Sequence, residues 1–293
     1  MTTSGLALSH LADEPLTAID DEMVLERWLL QASNYVRAHY RCSLYHFWIL
    51  LLLSEHQPIA LKDMARLIEL NYTTVAEGVD DLVEEGFIVK SEDEHDGRST
   101  ILNLTAAGVT LLREIDRDLM EVARRAFTSL AGQARLQAME LFYKASHRFD
   151  KKRMVDNLAR ADSCFLITCQ ECTLRFASIC KQNLTTAQQG HLLLAIGRQG
   201  RPLSSKEARF MLGYDAATLS RLISKCESQG LIAREQGATK REVSLSLTSS
   251  GLQCASLIAS ASNKVLDFLF GDDYLSNTYH QTMNALRLSL EEA

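Results

Sequence analysis

The sequence predicts a mostly α-helical protein assembled from two like units, each carrying a small β-hairpin. Three observations point there. The 293 residues exceed one ordinary domain of ~100–200 residues. The chain holds only 3 prolines, and its apolar residues recur at helical spacing over long stretches. It also repeats itself: "TVAEGVDDLVEEGFIVK" (Thr74–Lys90) matches "TLSRLISKCESQGLIAR" (Thr218–Arg234) at an offset of 144. "STILNLTAAG" (Ser99–Gly108) then matches "EVSLSLTSSG" (Glu242–Gly251) at an offset of 143, one residue having been lost from the loop between. A period this long is a whole domain, too long for one unit of a solenoid. The units divide the chain into 1–150 and 151–293.

Each copy reads the same way along the chain. An apolar helix comes first, "SLYHFWILLLLSEH" (Ser43–His56) or "TTAQQGHLLLAIGRQG" (Thr185–Gly200), the latter with a Thr N-cap and a Gly stop. A short extended piece marked by proline follows, "PIA" or "PLS". Next comes a short helix (Lys62–Glu69; Ser205–Leu212), a tight turn and a second helix (Thr73–Glu85; Ala216–Gln229). Gly86 or Gly230 ends that helix, where a left-handed residue is wanted. Two alternating strands close the unit, "FIVK" with "TILNL" and "LIAR" with "VSLSL", around the polar loops "SEDEHDGR" and "EQGATKR". Helix, turn, helix and polar hairpin make a winged helix–turn–helix, over about 43–105 and 185–248. In that arrangement the second helix of the pair fits a DNA major groove, and the hairpin tip reaches the neighbouring backbone or minor groove.

Composition excludes several classes. With 46% hydrophobic and 23% charged residues the chain has the make-up of a globular protein. The first Lys or Arg is Arg27, which argues against a signal peptide. "FWILLLL" (Phe47–Leu53) is far shorter than a membrane span, so no membrane partner is expected. Seven cysteines in no regular framework point to a reduced, cytoplasmic protein. Glycine-rich nucleotide loops, the nucleophile elbow and the zinc-protease His pair are all absent, so no enzyme, cofactor or metal is expected. The net charge of −6 hides an asymmetry: residues 1–150 balance at −10 and residues 151–293 at +4.

Both copies resemble the MarR family of bacterial transcription regulators. The resemblance rests on "LTTAQQGHLLLAI", on the Thr-led second helix ahead of "EEGFIVK" and "SQGLIAR", and on "DGRSTILNLTAAG" and "REVSLSLTSSG". It implies long flanking helices that pair as a dimerisation-type domain joined to the winged units. Segments that match are Asp21–Tyr40, Thr105–Leu130 and Ala134–Phe149, then Met154–Lys181, Thr248–Phe270 and Asp272–Leu290. Ordinary members are homodimers of chains about half this long. The duplication therefore implies an intrachain pseudo-dimer, with a homodimer of tandem chains as the rival.

The resemblance also locates a DNA-binding surface on double-stranded DNA. Where the family commonly has Arg, with another base a turn later, the second copy has Arg221 and Lys225, near Thr218 and Ser220. These can donate to phosphates or base edges. The first copy has Glu77 and Asp81 there, leaving Thr73 and Thr74 as neutral donors. Five carboxylates in "TTVAEGVDDLVEEGF" forfeit the gain from counterion release. The wing arginine of the family corresponds to Arg98, with Asp96 to brace it, and to Arg241 beside Lys240, with Thr239 in place of the acid. The second copy is thus expected to be the main DNA reader.

Two further groups stand out. Cys169 and Cys172 form a Cys-x-x-Cys, a redox candidate, though with Phe176 and Cys180 they also trace the stripe of a buried helix face. Trp28, Tyr35, His39, Tyr45 and Trp48 crowd the early chain, and the family often binds a small, commonly phenolic, effector between dimerisation helices and winged unit. The expected function is a ligand-responsive repressor whose first half senses a small aromatic ligand and whose second half reads a promoter. The alternative is an acidic tandem winged-helix module that binds protein partners and not DNA.

Overall fold

The computed structural model describes residues 17–68, 71–93, 99–148, 161–236 and 243–291. Compact packing groups the described residues of Met1–Glu26 with Gln170–Phe268, and those of Arg27–Cys169 with Leu269–Ala293. Each winged unit lies wholly within one of these groups.

In the first winged unit, helix α2 (Leu44–His56) is followed by strand β1 (Ile59–Ala60), helices α3 (Leu61–Ile68) and α4 (Tyr72–Glu84), and strands β2 (Ile88–Glu92) and β3 (Thr100–Leu104). In the second, α8 (Ala187–Arg198) is followed by β4 (Leu203–Ser204), α9 (Ser205–Leu212), α10 (Ala216–Ser228), β5 (Ile232–Gln236) and β6 (Val243–Leu247). The hairpins expected to be two-stranded are three-stranded antiparallel sheets, ordered β1-β3-β2 and β4-β6-β5. The proline-marked pieces supply the third strand, because each places one buried aliphatic, Ile59 or Leu203, against the central strand. Register preserves the repeat: Ile59 and Lys90 face Leu102, as Leu203 and Arg234 face Leu245.

The same local chemistry holds both units. Gly86 (φ 78°) and Gly230 (φ 69°) turn the chain out of α4 and α10 in the left-handed region. Thr105 and Thr248 then each donate a hydroxyl hydrogen bond back to that glycine's carbonyl, at 2.8 and 2.6 Å. The next glycine permits close packing: a Cβ on Gly108 would lie 2.2 Å from the Phe87 carbonyl oxygen, and one on Gly251 would lie 1.8 Å from that of Leu231. Ser43 and Thr186 cap α2 and α8 with reciprocal capping boxes.

The flanking helices are α1 (Thr17–Tyr40), α5 (Ala106–Ala126), α6 (Gly132–Ser146), α7 (Ala161–Gln182), α11 (Ser249–Phe270) and α12 (Asn277–Glu291). Residues 154–160 of the expected Met154–Lys181 helix lie outside the described residues. The helix expected over Asp272–Leu290 is broken at its start. A 3-10 turn covers Gly271–Asp273, Leu275 takes φ 59°, and Ser276 accepts from the Tyr279 N–H at 3.1 Å to begin α12. A serine N-cap outcompetes continuation of the helix there. In this group of residues the core is aromatic: Phe165 meets Trp28, Phe127 and Phe142 edge to face, and Phe270 meets Phe142 and Tyr279 likewise. The other core is aliphatic, with Leu192, Leu193, Leu219, Ile223, Ile232, Leu245 and Ile258 buried together. Among the described residues no helix is long and apolar enough to cross a membrane.

Candidate nucleic-acid interface

Helices α4 and α10 bury equivalent faces and expose opposite charges. Helix α10 buries Leu219, Leu222, Ile223 and Cys226 at helical spacing, and α4 buries Val75, Val79 and Leu82 at the matching register. The opposite face of α10 exposes Ser220, Arg221, Ser224 and Lys225. That of α4 exposes Thr73, Glu77, Asp80, Asp81 and Glu84, with Thr74 half-buried.

Helix entry is set by side chains. Asp215 caps α10, accepting from the Thr218 N–H at 2.8 Å and from its hydroxyl at 2.7 Å. Those bonds hold the Asp215 carboxyl below its ordinary range. Asn71 does the equivalent for α4, accepting from the Thr74 N–H at 2.8 Å. The Thr218 hydroxyl is therefore occupied within the cap, and Nη2 of Arg221 donates to it at 3.2 Å. Arg221 also leans on its own helix, Nε donating to the Ala217 carbonyl at 3.4 Å. Its head is held close to α10 and stays in solvent, as does that of Lys225.

The acids of α4 are partly neutralised from within. Asp80 pairs with Lys90 of β2, and Asp81 lies 3.4 Å from His46 of α2. Burial pushes His46 below its ordinary pKa, so near neutrality that imidazole adds little positive charge. Glu77, Glu84 and Glu85 remain on the solvent face. In the second unit the strand-to-helix bond recurs with different partners: Arg234 of β5 donates to Ser224 at 2.7 Å and pairs with Glu227 at 2.8 Å.

Two cations that sequence reasoning passed over border the same surface. Lys206 and Arg209 on α9 line a groove with Ser220 and Arg234, and both are exposed. At the offset of 144, Arg209 corresponds to Ala65, which was the available signal. Arg98, Lys240 and Arg241, expected at the wing tips, lie outside the described residues, as do Asp96 and Thr239.

The aromatic residues expected around an effector occupy different surroundings. Trp28 is buried in the aromatic core, its indole donating to the Leu286 carbonyl at 3.1 Å. Tyr35 stacks on His39 and donates to Asp118 at 3.1 Å, and Tyr40 donates to the same oxygen at 2.6 Å. The Tyr45 hydroxyl donates to the Thr74 carbonyl at 3.3 Å, and burial pushes that phenol up to about 12. Trp48 alone of the five lines a narrow cleft with Phe47, Leu51, Asp116 and Leu119, about 10 Å³ in volume. Its buried indole N–H has no hydrogen-bond partner.

All seven cysteines are buried. Burial, the largest effect, and the charges of Glu22 and Glu171 push the Cys172 thiol well up, which withholds the nucleophilic thiolate. Cys169 is fully enclosed.

Two family models match the chain, both described as MarR family, over residues 43–100 and 182–242. No curated relative matches. Among solved structures, a crystal structure of MarR is 23% identical, covering 42% of this chain and 89% of that one with a TM-score of 0.35. A transcription regulator MarR from Oenococcus oeni PSU-1 is 16% identical, over 43% of this chain and 95% of that one (TM-score 0.38). A MepR–DNA complex from S. aureus is 22% identical, over 44% and 94% (TM-score 0.37). At these identities and scores the likenesses carry no further weight, and the family matches stand on their own. Falling on the two winged units in turn, they support a tandem MarR duplication in this one chain.

Proposed function

We propose that the protein regulates transcription by binding duplex DNA, with the second winged unit as its main reader. One observation carries this: at equivalent register positions, α10 exposes Arg221 and Lys225 where α4 exposes Glu77 and Asp81. A groove-facing helix gains from each phosphate it neutralises, so the basic face is favoured on DNA and the acidic face repelled. Lys206 and Arg209 extend the positive surface along α9, in reach of the backbone beside the groove. Occupying a promoter this way represses it. In this reading the duplicated sequence units, 1–150 and 151–293, have divided the labour.

A small aromatic effector is part of the proposal. Its support is the unpaired Trp48 indole N–H beside the cleft with Asp116. That cleft holds no more than about one water as it stands, so a ligand must open it and must bind the open form better.

The acidic face of α4 favours a second reading, in which the first unit docks a basic protein segment and DNA is not bound. Electrophoretic mobility shifts on the purified chain separate the two. Arg221→Glu is expected to abolish the shift, and Glu77→Arg to leave it unchanged or strengthen it. Loss of specific binding in Glu77→Arg would make the acidic helix a true reader and overturn the assignment.

A further inference from the structure

In the compact group that holds the second winged unit, α1 brings two carboxylates to one imidazole. Glu22 and Glu26 stand one turn apart on α1, so both project from the same face. The Nε2 of His191, in the first turns of α8, lies 3.1 Å from Glu22 Oε2 and 3.1 Å from Glu26 Oε2. One donor atom from each residue falls within 4.8 Å of the others. His191 and Glu22 are 1% and 3% exposed, and Glu26 closes the solvent side. Phe176 stacks on the His191 ring, centroids 4.4 Å apart and planes 7° from parallel, which fixes the direction of Nε2.

Hydrogen bonding alone leaves this cluster incompletely satisfied. Nε2 can present a single proton, and two carboxylate oxygens stand at equal distance from it. The second oxygen of Glu22, Oε1, is buried with no partner at all. Among the described residues, the two carboxylates share this one imidazole as their ion-pair partner, in a site that is largely buried. A divalent cation answers each of these. Its charge balances the two carboxylates around a neutral imidazole, and the free oxygen of Glu22 becomes a second donor. The two nitrogen–oxygen separations of 3.1 Å fit as well: bonds of about 2.0–2.1 Å in a tetrahedral site put ligand atoms about 3.3 Å apart.

We infer that Glu22, Glu26 and His191 form a binding site for a divalent first-row transition-metal ion that ties the start of α1 to α8. One nitrogen and two carboxylate oxygens suit the range from manganese to zinc and disfavour the softer ions that seek thiolates. Three protein ligands leave a position for water. Helix α8 is the first helix of the second winged unit and packs on α9, α10 and β6. The ion would therefore clamp the start of α1, up to Glu26, to the scaffold that carries α10. Binding releases whatever proton Nε2 holds, since that nitrogen must offer its lone pair. The inference does not depend on DNA reading.

The test is calorimetric titration of the chelator-treated full chain with Mn2+ and, separately, Zn2+. We expect one ion per chain with a Kd of ~10 µM or tighter for at least one of them. Glu22→Gln and Glu26→Gln should each weaken it by at least ~100-fold, a ligand being worth more than an outer-shell partner. Circular dichroism establishes that each variant is folded; should Glu22→Gln fail to fold, the more exposed Glu26→Gln decides. Absence of one-to-one binding of both ions up to ~1 mM overturns the proposal. So does binding that persists undiminished in Glu26→Gln, which would place the ion elsewhere, for zinc on thiols.

Discussion

The positive surface of the second winged unit fixes how strongly salt should weaken DNA binding. Among the described residues, Lys206, Arg209, Arg221 and Lys225 are exposed and outside any ion pair, whereas Arg234 is tied to Glu227 and Arg201 to Glu207. Each phosphate neutralised contributes about −0.9 to the slope of log affinity against log salt. Four contacts give a slope of about −3.6, and Lys240 and Arg241 would take it to about −5.4 if both engage. The smaller figure is roughly a 150-fold loss of affinity between 50 and 200 mM salt. Replacing Arg221 and Lys225 together by Gln should reduce the steepness of the slope by about 1.8. Fold stability should hardly change, because the hydrogen bonds of Arg221 stay within its own helix, Lys225 is exposed, and exposed substitutions stay within about 0.5 kcal/mol. Fluorescence anisotropy on a labelled duplex across a salt series measures both quantities. A slope near zero, or one the double variant leaves intact, would refute α10 as the phosphate-neutralising element.

Two further outcomes follow from the geometry. Gly251→Ala places a Cβ 1.8 Å from the Leu231 carbonyl oxygen, which also accepts from the Thr248 N–H at 3.1 Å, so relief requires moving backbone. A loss of about 2–4 kcal/mol is expected by denaturant titration, whereas an unchanged midpoint would mean that the helix start is not seated as described. Binding of a phenolic or aromatic carboxylate ligand at the Trp48 cleft should alter tryptophan emission and vanish in Trp48→Phe. A titration of such compounds with no change in emission removes the effector from the proposed function.

What could be read from the sequence was whatever local chemistry and the repeat encode. The repeat at 144 and 143 reappears as strand register, because Ile59 and Leu203 must each reach a central-strand leucine. Helix ends followed from Gly86 and Gly230, whose positive φ favours glycine. The short strands β1 and β4 were legible only as extended pieces, since two residues carry no period of their own. The break at Leu275 was hidden by a helical composition on both sides, and only the Ser276 cap reveals it. The Glu22–Glu26–His191 cluster was out of reach for a different reason. Its halves stand 169 residues apart in the chain, and neither Glu-x-x-x-Glu nor a lone His within an apolar helix is distinctive. The aromatic residues show another limit: nearness in sequence from Trp28 to Trp48 does not give common neighbours, because helix rotation points Trp28, Tyr35 and Tyr45 at different hydrogen-bond partners.

The divergence between the copies follows from where each substitution lies. Positions that set the scaffold, such as Val75 and Leu219, Val79 and Ile223, or Leu82 and Cys226, are buried in both units, and a polar change there would cost several kcal/mol. Positions proposed to meet a partner, Glu77 with Arg221 and Asp81 with Lys225, are exposed, and reversing them costs the fold almost nothing. In a homodimer one codon serves both reading helices, so a charge that helps one partner surface is imposed on both. With the two units in one chain that constraint is gone. The acidic α4 and basic α10 can then be selected separately while the sheets and glycine turns beneath them keep the same geometry. On this account the sign reversal reflects two surfaces serving two partners, and loss of DNA affinity by α4 need not have weakened the unit that carries it.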